Sequence, residues 1–219
     1  MIEYIIPHNP DDRILKRAGT LLKEGKIICF PTDTNWLLVC DVFSPKAVES
    51  LYKVKGEELD HHFSVLCTGI SEASQIALIH NNGFRWLNKM TPGPYTFIFE
   101  ANKKIVKAVK ASHRDHEVGI RIPDCPIVAA LARSFPCTLL STNITPSMVG
   151  LSAEQDHHDI YSVLIEQELG TAISMILDPG EVSFLGPSTV IDFREENQPV
   201  LIRQGAGGLP FAIKHLDNK

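Results

Sequence analysis

Lys26-Ile27-Ile28-Cys29-Phe30-Pro31-Thr32-Asp33-Thr34 runs an apolar strand into an abrupt polar stop. Pro31 ends the strand because it has no backbone N–H to give to a sheet ladder. Two hydroxyls and a carboxylate follow at once, and unpaired polar groups are costly to bury. They suit either a turn, in which Thr32 and Asp33 bond their own backbone, or the mouth of a ligand site. On this stretch alone both readings stay open.

Outward from here, strands and helices alternate. Upstream, Ile14, Leu15, Ala18, Leu21 and Leu22 form a helical stripe over residues 11–24, stopped by Gly25. Downstream, Ser44 and Pro45 read as cap and first position of a helix running to about Lys53. Strands are predicted at 63–67, 95–100, 118–122, 138–141, 173–177, 188–193 and 200–203. Helices are predicted at 71–79, 82–89, 126–134 and 154–169. With no internal repeat and no low-complexity linker, one α/β domain over residues 1–208 is expected, followed by a short C-terminal tail, 209–219.

The composition agrees with an ordinary globular chain: 219 residues, 44% hydrophobic and 21% charged. Met1-Ile2-Glu3-Tyr4-Ile5-Ile6-Pro7 lacks the basic start and long apolar run of a signal peptide. No stretch approaches the roughly 18 apolar residues of a membrane helix, so no membrane partner is expected. The cysteines, Cys29, Cys40, Cys67, Cys125 and Cys137, are odd in number and lack close pairs. Reduced thiols and a cytoplasmic location are expected. The net charge of -5 is uneven. Residues 101–121 hold Lys103, Lys104, Lys107, Lys110, Arg114 and Arg121 against Asp115 and Glu117, whereas residues 151–200 hold ten acidic residues against Arg194. A basic stretch of this kind is either a solvated surface or a phosphate-binding one.

Several predicted strand ends carry similar polar residues: Thr32 to Thr34, Arg121, Ser141-Thr142-Asn143 and Arg203. Lys53, Lys55, Thr96 and Ser188-Thr189 lie near other element ends. In open α/β sheets, ligands gather at the carboxyl ends of strands. Hydroxyls and amides orient a polar ligand, and Lys and Arg neutralise phosphate or carboxylate. Singly, each has a plain structural reading: Ser141 to Asn143 as a cap, Arg121 as a surface partner of Asp124. Their recurrence points to a site for a small anion. The chain lacks the G-x-x-x-x-G-K-[ST] and G-x-G-x-x-G phosphate loops and the G-x-S-x-G elbow. His61-His62, His157-His158 and the pair His113 and His116 complete no metal-ligand spacing.

Seven short motifs, taken in order, are more specific. They are Pro31-Thr32-Asp33-Thr34, Tyr52-Lys53-Val54-Lys55-Gly56, Thr91-Pro92-Gly93-Pro94-Tyr95-Thr96, Gly119-Ile120-Arg121-Ile122-Pro123, Ser141-Thr142-Asn143, Pro187-Ser188-Thr189 and Ile202-Arg203-Gln204-Gly205. Together, from about residue 10 to 208, they resemble the YrdC-like family. His62-Phe63, Ser71-Glu72-Ala73-Ser74 and Leu140-Ser141-Thr142 bring the chain nearest to its YciO branch. The resemblance implies a three-layer α/β domain around a twisted mixed β-sheet with a concave face. It also implies synthesis of threonylcarbamoyl-adenylate from threonine, bicarbonate and ATP for tRNA modification, a nucleotidyl transfer that releases pyrophosphate. Lys55, Ser141, Asn143 and Arg203 would then surround ATP, and Thr32, Thr34, Arg121 and Ser188 would shape the threonine and nucleotide pocket. Mg2+ would accompany ATP.

This chain departs from the family's pattern in two places. Trp36-Leu37-Leu38 stands where active members carry Tyr-Gly-Leu, and Lys55-Gly56-Glu57-Glu58 where they carry Lys-Gly-Arg-Pro. At about 4 Å and an effective dielectric of about 20, exchanging attraction for repulsion involves roughly 4 kcal/mol per charge term. Three readings follow: an ATP-binding enzyme making the adenylate, a noncatalytic double-stranded RNA-binding or translation-associated protein using Lys103, Lys104, Lys107 and Lys110, and an enzyme with a changed substrate in the same pocket.

Overall fold

The computed structural model describes residues 1–56, 63–109, 116–136, 138–195, 198–209 and 214–215. In chain order the elements are β1 (Ile2–Tyr4), α1 (Asp12–Lys23), β2 (Ile27–Pro31), β3 (Trp36–Asp41), α2 (Pro45–Lys55), β4 (Ser64–Leu66), α3 (Ile70–Ile76), β5 (Ala77–Leu78), α4 (Asn81–Met90), β6 (Tyr95–Ala101), α5 (Lys103–Val109), β7 (Glu117–Arg121), α6 (Pro126–Ser134), β8 (Leu139–Asn143), α7 (Ser162–Leu169), β9 (Ile173–Asp178), β10 (Thr189–Asp192), β11 (Val200–Arg203) and β12 (Lys214–His215). The strands form one mixed sheet in the order β1-β9-β2-β3-β8-β4-β7-β6-β10-β11-β12, with β5 paired to β6.

The helix ends follow local chemistry. Asp11 caps α1 by accepting from the Arg13 N–H at 2.7 Å, and Gly25 turns the chain at φ 72°. Leu15, Ala18 and Leu22 lie buried along one face; burying each leucine is worth roughly 1.5–3 kcal/mol. Ser44 accepts from Ala47 N–H at 3.4 Å to start α2, and Gly56 at φ 73° ends it.

Two of the predicted helices shorten, 71–79 giving Ile70–Ile76 with β5 after it, and β1, β3, α5 and β12 appear where no element is predicted. Residues 154–169 give only Ser162–Leu169 as an α-helix, preceded by a 3-10 turn at His157–Asp159. The Asp156 carboxylate accepts from His158 N–H at 3.0 Å, a local bond that competes with helix propagation. The strand Trp36–Asp41 appears where no element was predicted, because its uninterrupted apolar run lacks the alternation that marks a half-buried strand. It is a central strand, paired antiparallel to both β2 and β8. Ile2–Tyr4 add β1, parallel to β9. Within the stretch read as a tail, Lys214–His215 pairs with β11.

Helices pack on both faces of the sheet. Leu51 and Tyr52 of α2, Trp86 and Leu87 of α4 and Ile165 of α7 meet Leu38, Val65, Phe97, Phe99, Ile120 and Leu140 on one side. On the other, Leu15 and Leu22 of α1 and Ile127 and Leu131 of α6 meet Ile28, Phe30, Val39, Leu66 and Leu139. The three-layer α/β architecture is thus the one expected. The second side is covered over only part of the sheet, and the uncovered part becomes the site. Cys29, Cys67 and Cys125 are buried free thiols and Cys40 is buried as well; Cys137 lies outside the described residues. Burial pushes the Cys125 thiol up to about 11. Among the described residues, no helix is long and apolar enough to cross a membrane.

Candidate functional site

Successive strand residues alternate between faces, so each strand passes from core to site in steps of two. On β8, Leu139 packs under α1 and α6, while Ser141 and Asn143, on the same face, line a cavity. On β4, Leu66 is core and Ser64 lines the cavity. The sheet register brings Ser64 beside both Gly119 and Ser141. Glu117, Gly119 and Arg121 of β7, Thr96 and Ile98 of β6, and Val190 of β10 complete the floor. The walls include Thr34, Pro187, Ser188 and Arg203, and the cavity holds about 220 Å³.

The turn between β2 and β3 supplies one wall. Thr32 donates its N–H and its hydroxyl to the Asn35 carbonyl, at 3.0 and 3.1 Å, so the turn reading is correct as far as it goes. The same residues also gather around Arg121. Its Nη2 donates to Thr32 Oγ1 at 3.0 Å, to Asp33 Oδ1 at 2.6 Å and to Thr34 Oγ1 at 2.6 Å. The side chains of Arg121 and Asp33 are each only 6% exposed. Arg121 is therefore not the surface partner of Asp124 that the sequence allowed. Asp124 meets the turn only through its backbone N–H, 3.5 Å from Asp33 Oδ2.

Burial pushes the Arg121 pKa below the ordinary arginine value; Asp33 acts against that shift and Arg203 adds to it by like-charge repulsion. Two guanidinium groups thus face one concavity and repel one another. Among the described residues, the buried Nε of Arg121 has no hydrogen-bond partner. A buried donor left unpaired calls for an acceptor, and a ligand anion in the cavity would supply one.

The opposite wall is pinned. Arg203 donates from Nε and Nη2 to the Ser188 carbonyl, at 3.2 and 2.9 Å, and Burial lowers its pKa. The Ser188 and Thr96 hydroxyls lie 3.0 Å apart. Ser141 donates its hydroxyl to the Ser64 carbonyl at 2.9 Å. Lys55, at the last position of α2, reaches the site through Asn143, with Nζ 2.9 Å from its carbonyl and 3.1 Å from Oδ1.

Of the eight pocket residues expected from sequence, Thr34, Arg121, Ser141, Asn143, Ser188 and Arg203 line the cavity. Thr32 and Lys55 touch residues that line it. Ser64 and Glu117 were not among the expected residues, and Asp33 and Gly119, though part of the quoted motifs, had no assigned role. Small or polar residues in otherwise apolar strands are the signal that marks Ser64, Glu117 and Gly119. Leu37 does enter the cavity, and it also packs in the core with Phe30 and Val39. Glu57 lies outside the described residues. Lys103 and Lys104 are exposed on α5, where the Lys104 ammonium sits 4.7 Å from the centre of the Phe43 ring. Neither lines the cavity; Lys110 and the side chain of Lys107 lie outside the described residues.

Among the described residues, no group of three His, Cys, Asp or Glu side chains is placed to hold a metal ion. The two carboxylates at the cavity already have cationic partners, Asp33 with Arg121 and Glu117 with Arg194. Among the described residues, the donor set does not fit a resident magnesium ion.

Comparison with known proteins supplies a family. The Sua5/YciO/YrdC family model, described as "Telomere recombination", matches residues 20–205. The uncharacterized protein YciO of Escherichia coli is 31% identical over 95% of this chain and 97% of its own length. The E. coli YciO crystal structure superposes with a TM-score of 0.83, covering 96% of this chain and 98% of that one. A putative threonylcarbamoyl-AMP synthase of Methanocaldococcus jannaschii is 27% identical over 92% of this chain and 90% of its own. P. abyssi Sua5, solved in complex with L-threonine, shares the fold at a TM-score of 0.77 and 21% identity, over 94% of this chain and 57% of that one.

Proposed function

The chain belongs to the Sua5/YciO/YrdC family, and from that premise we propose that its cavity binds ATP and an amino acid and forms threonylcarbamoyl-AMP. The observation that carries this reading is the convergence of Arg121 and Arg203 on one cavity, with the buried Arg121 Nε left without a partner among the described residues. An anionic ligand would satisfy that donor and screen the repulsion between the two guanidinium groups. The name of the M. jannaschii relative and the L-threonine bound to P. abyssi Sua5 support the choice of substrates.

In the reaction, the threonine amine and bicarbonate combine, with loss of water, to give a carbamate. A carbamate oxygen then attacks the α-phosphorus of ATP, and the bond to the departing pyrophosphate breaks. Arg121 and Arg203 would hold anionic groups of the reactants, and Lys55, released from Asn143, would turn toward phosphate. Ser141, Asn143 and Ser188 would orient the uncharged parts by hydrogen bonding. Magnesium enters this reading with the triphosphate, as part of the substrate.

Pyrophosphate release from ATP, magnesium, bicarbonate and threonine tests the proposal. Release that depends on threonine supports it, and release at the threonine-free rate contradicts it. A second reading places RNA on a different surface, where exposed Lys103 and Lys104 stand beside the partly exposed Phe43 ring. Cations interleaved with an aromatic face suit a nucleic-acid backbone and its bases.

A further inference from the structure

Gly119 lies in β7, which is paired on one side with β4 and on the other with β6. Glycine weakens a strand in the middle of a sheet, so its presence there asks for a reason. Backbone conformation is not the reason, since Gly119 is absent from the positive-φ glycines. Nor does packing demand it. A Cβ at Gly119 would meet the Ser64 hydroxyl at 3.1 Å and the Thr96 methyl at 3.4 Å. The first is a rotatable group, and the second is at an ordinary contact distance. Gly205 and Gly207 are different, because a Cβ there would collide with the Pro187 carbonyl and with the Tyr95 ring. Those two glycines are required by the protein's own packing.

What distinguishes Gly119 is its place at the cavity floor, with Ser64 and Ser141 to one side, Thr96 and Ile98 to the other, and Arg121 two residues along the same face. We propose that Gly119 is a ligand-contact residue: its bare backbone is the surface on which a planar part of the ligand lies, while the ligand's anionic group meets Arg121. Two residues of strand set those positions about 7 Å apart. The ligand is thus a small anion carrying a flat amide, carbamate or heterocyclic group at about that distance. Ile98 and Val190 give the floor an apolar margin, and the Ser64 and Thr96 hydroxyls give it an edge that can hydrogen-bond. A methyl group at this position lifts the ligand from the floor and spoils its alignment with Arg121. This inference deepens the proposed nucleotide and amino-acid reading and rests on it.

The test combines thermal unfolding without ligand and calorimetric titration with two probes, magnesium-ATP and L-threonine, on the parent and on Gly119→Ala. The expected result is an unchanged or raised Tm, with at least tenfold weaker binding of a probe that the parent binds. A double variant, S64A/G119A, removes the one hydroxyl that crowds the new methyl, and it should keep the Tm while still binding weakly. Parent-like affinity for both probes in Gly119→Ala overturns the proposal. So does a Tm loss of several degrees that persists in S64A/G119A, since the glycine would then serve packing. A parent that binds neither probe is a separate result: it overturns the nucleotide and amino-acid reading, and the Gly119 assignment with it.

Discussion

Removing the charge of Asp33 while keeping its shape isolates the buried pair at the centre of the site. The Asp33 carboxylate and the Arg121 guanidinium approach to 2.6 Å, with both side chains 6% exposed. At a charge separation near 4 Å and an effective dielectric of about 20, their attraction is roughly 4 kcal/mol. In Asp33→Asn the amide oxygen would still accept one hydrogen bond, worth about 1 kcal/mol. Thr32 and Thr34 would continue to accept from Nη2. The expected destabilisation is therefore about 3 kcal/mol, within the range seen when one member of a buried pair is removed. For a chain of this length that corresponds to a fall in Tm of roughly 6–12 °C. Urea unfolding of the parent, Asp33→Asn, Arg121→Met and the double variant completes a thermodynamic cycle. The double variant should lose less than the sum of the two singles, because each single leaves one charged group buried without its counter-charge. A Tm for Asp33→Asn within about 2 °C of the parent, or strictly additive losses, would refute the reasoning.

Three further expectations concern other groups. Lys55→Ala and Arg203→Ala should each weaken ATP binding roughly tenfold or more, because each removes a cation from the phosphate site; calorimetry with unchanged affinity would take that role from them. His158 has its pKa raised, chiefly by the side-chain bond to Asp156, from the ordinary histidine value of 6.5. Its contribution to stability is fully present below the unfolded value and is lost as pH rises through the folded value. The Tm gap between parent and His158→Gln should thus be wider at about pH 5.5 than at about pH 9, and an equal gap at both would contradict the assignment. If α5 binds RNA, affinity should fall steeply with salt, and replacing Lys103 and Lys104 together should reduce the log–log slope by roughly 2. A slope that does not change would remove these lysines from an RNA interface.

The helix ends were legible because single residues with strong local preferences mark them: Asp11, Gly25, Ser44, Pro45 and Pro126. The alternation of strand and helix was legible for the same reason. Trp36–Asp41 was not, since a strand buried on both faces has no period to read. The helix over 154–169 was overextended because the side-chain bond from His158 N–H to Asp156 is invisible to periodicity. At the site, the ordered motifs brought the cavity-lining Arg121, Ser141, Asn143, Ser188 and Arg203 into view. The partner of Arg121 was misread as Asp124, because Asp124 is near in the chain and Asp33 is distant. Only the close approach of the β2–β3 turn to the end of β7 decides between them. Gly119, quoted only as part of a motif, had no role in the sequence for a related reason: the space above a glycine exists only once the neighbouring strands are in place.

A crystal structure with magnesium and a nonhydrolysable ATP analogue, with threonine present, tests the central claim most directly. The analogue should occupy the cavity over β6, β7, β8 and β10, with its phosphates against Lys55, Arg121 or Arg203 and an acceptor at the Arg121 Nε. A nucleotide seated elsewhere, such as on the α5 surface, with the cavity empty and the Arg121 Nε still unpaired, would contradict it.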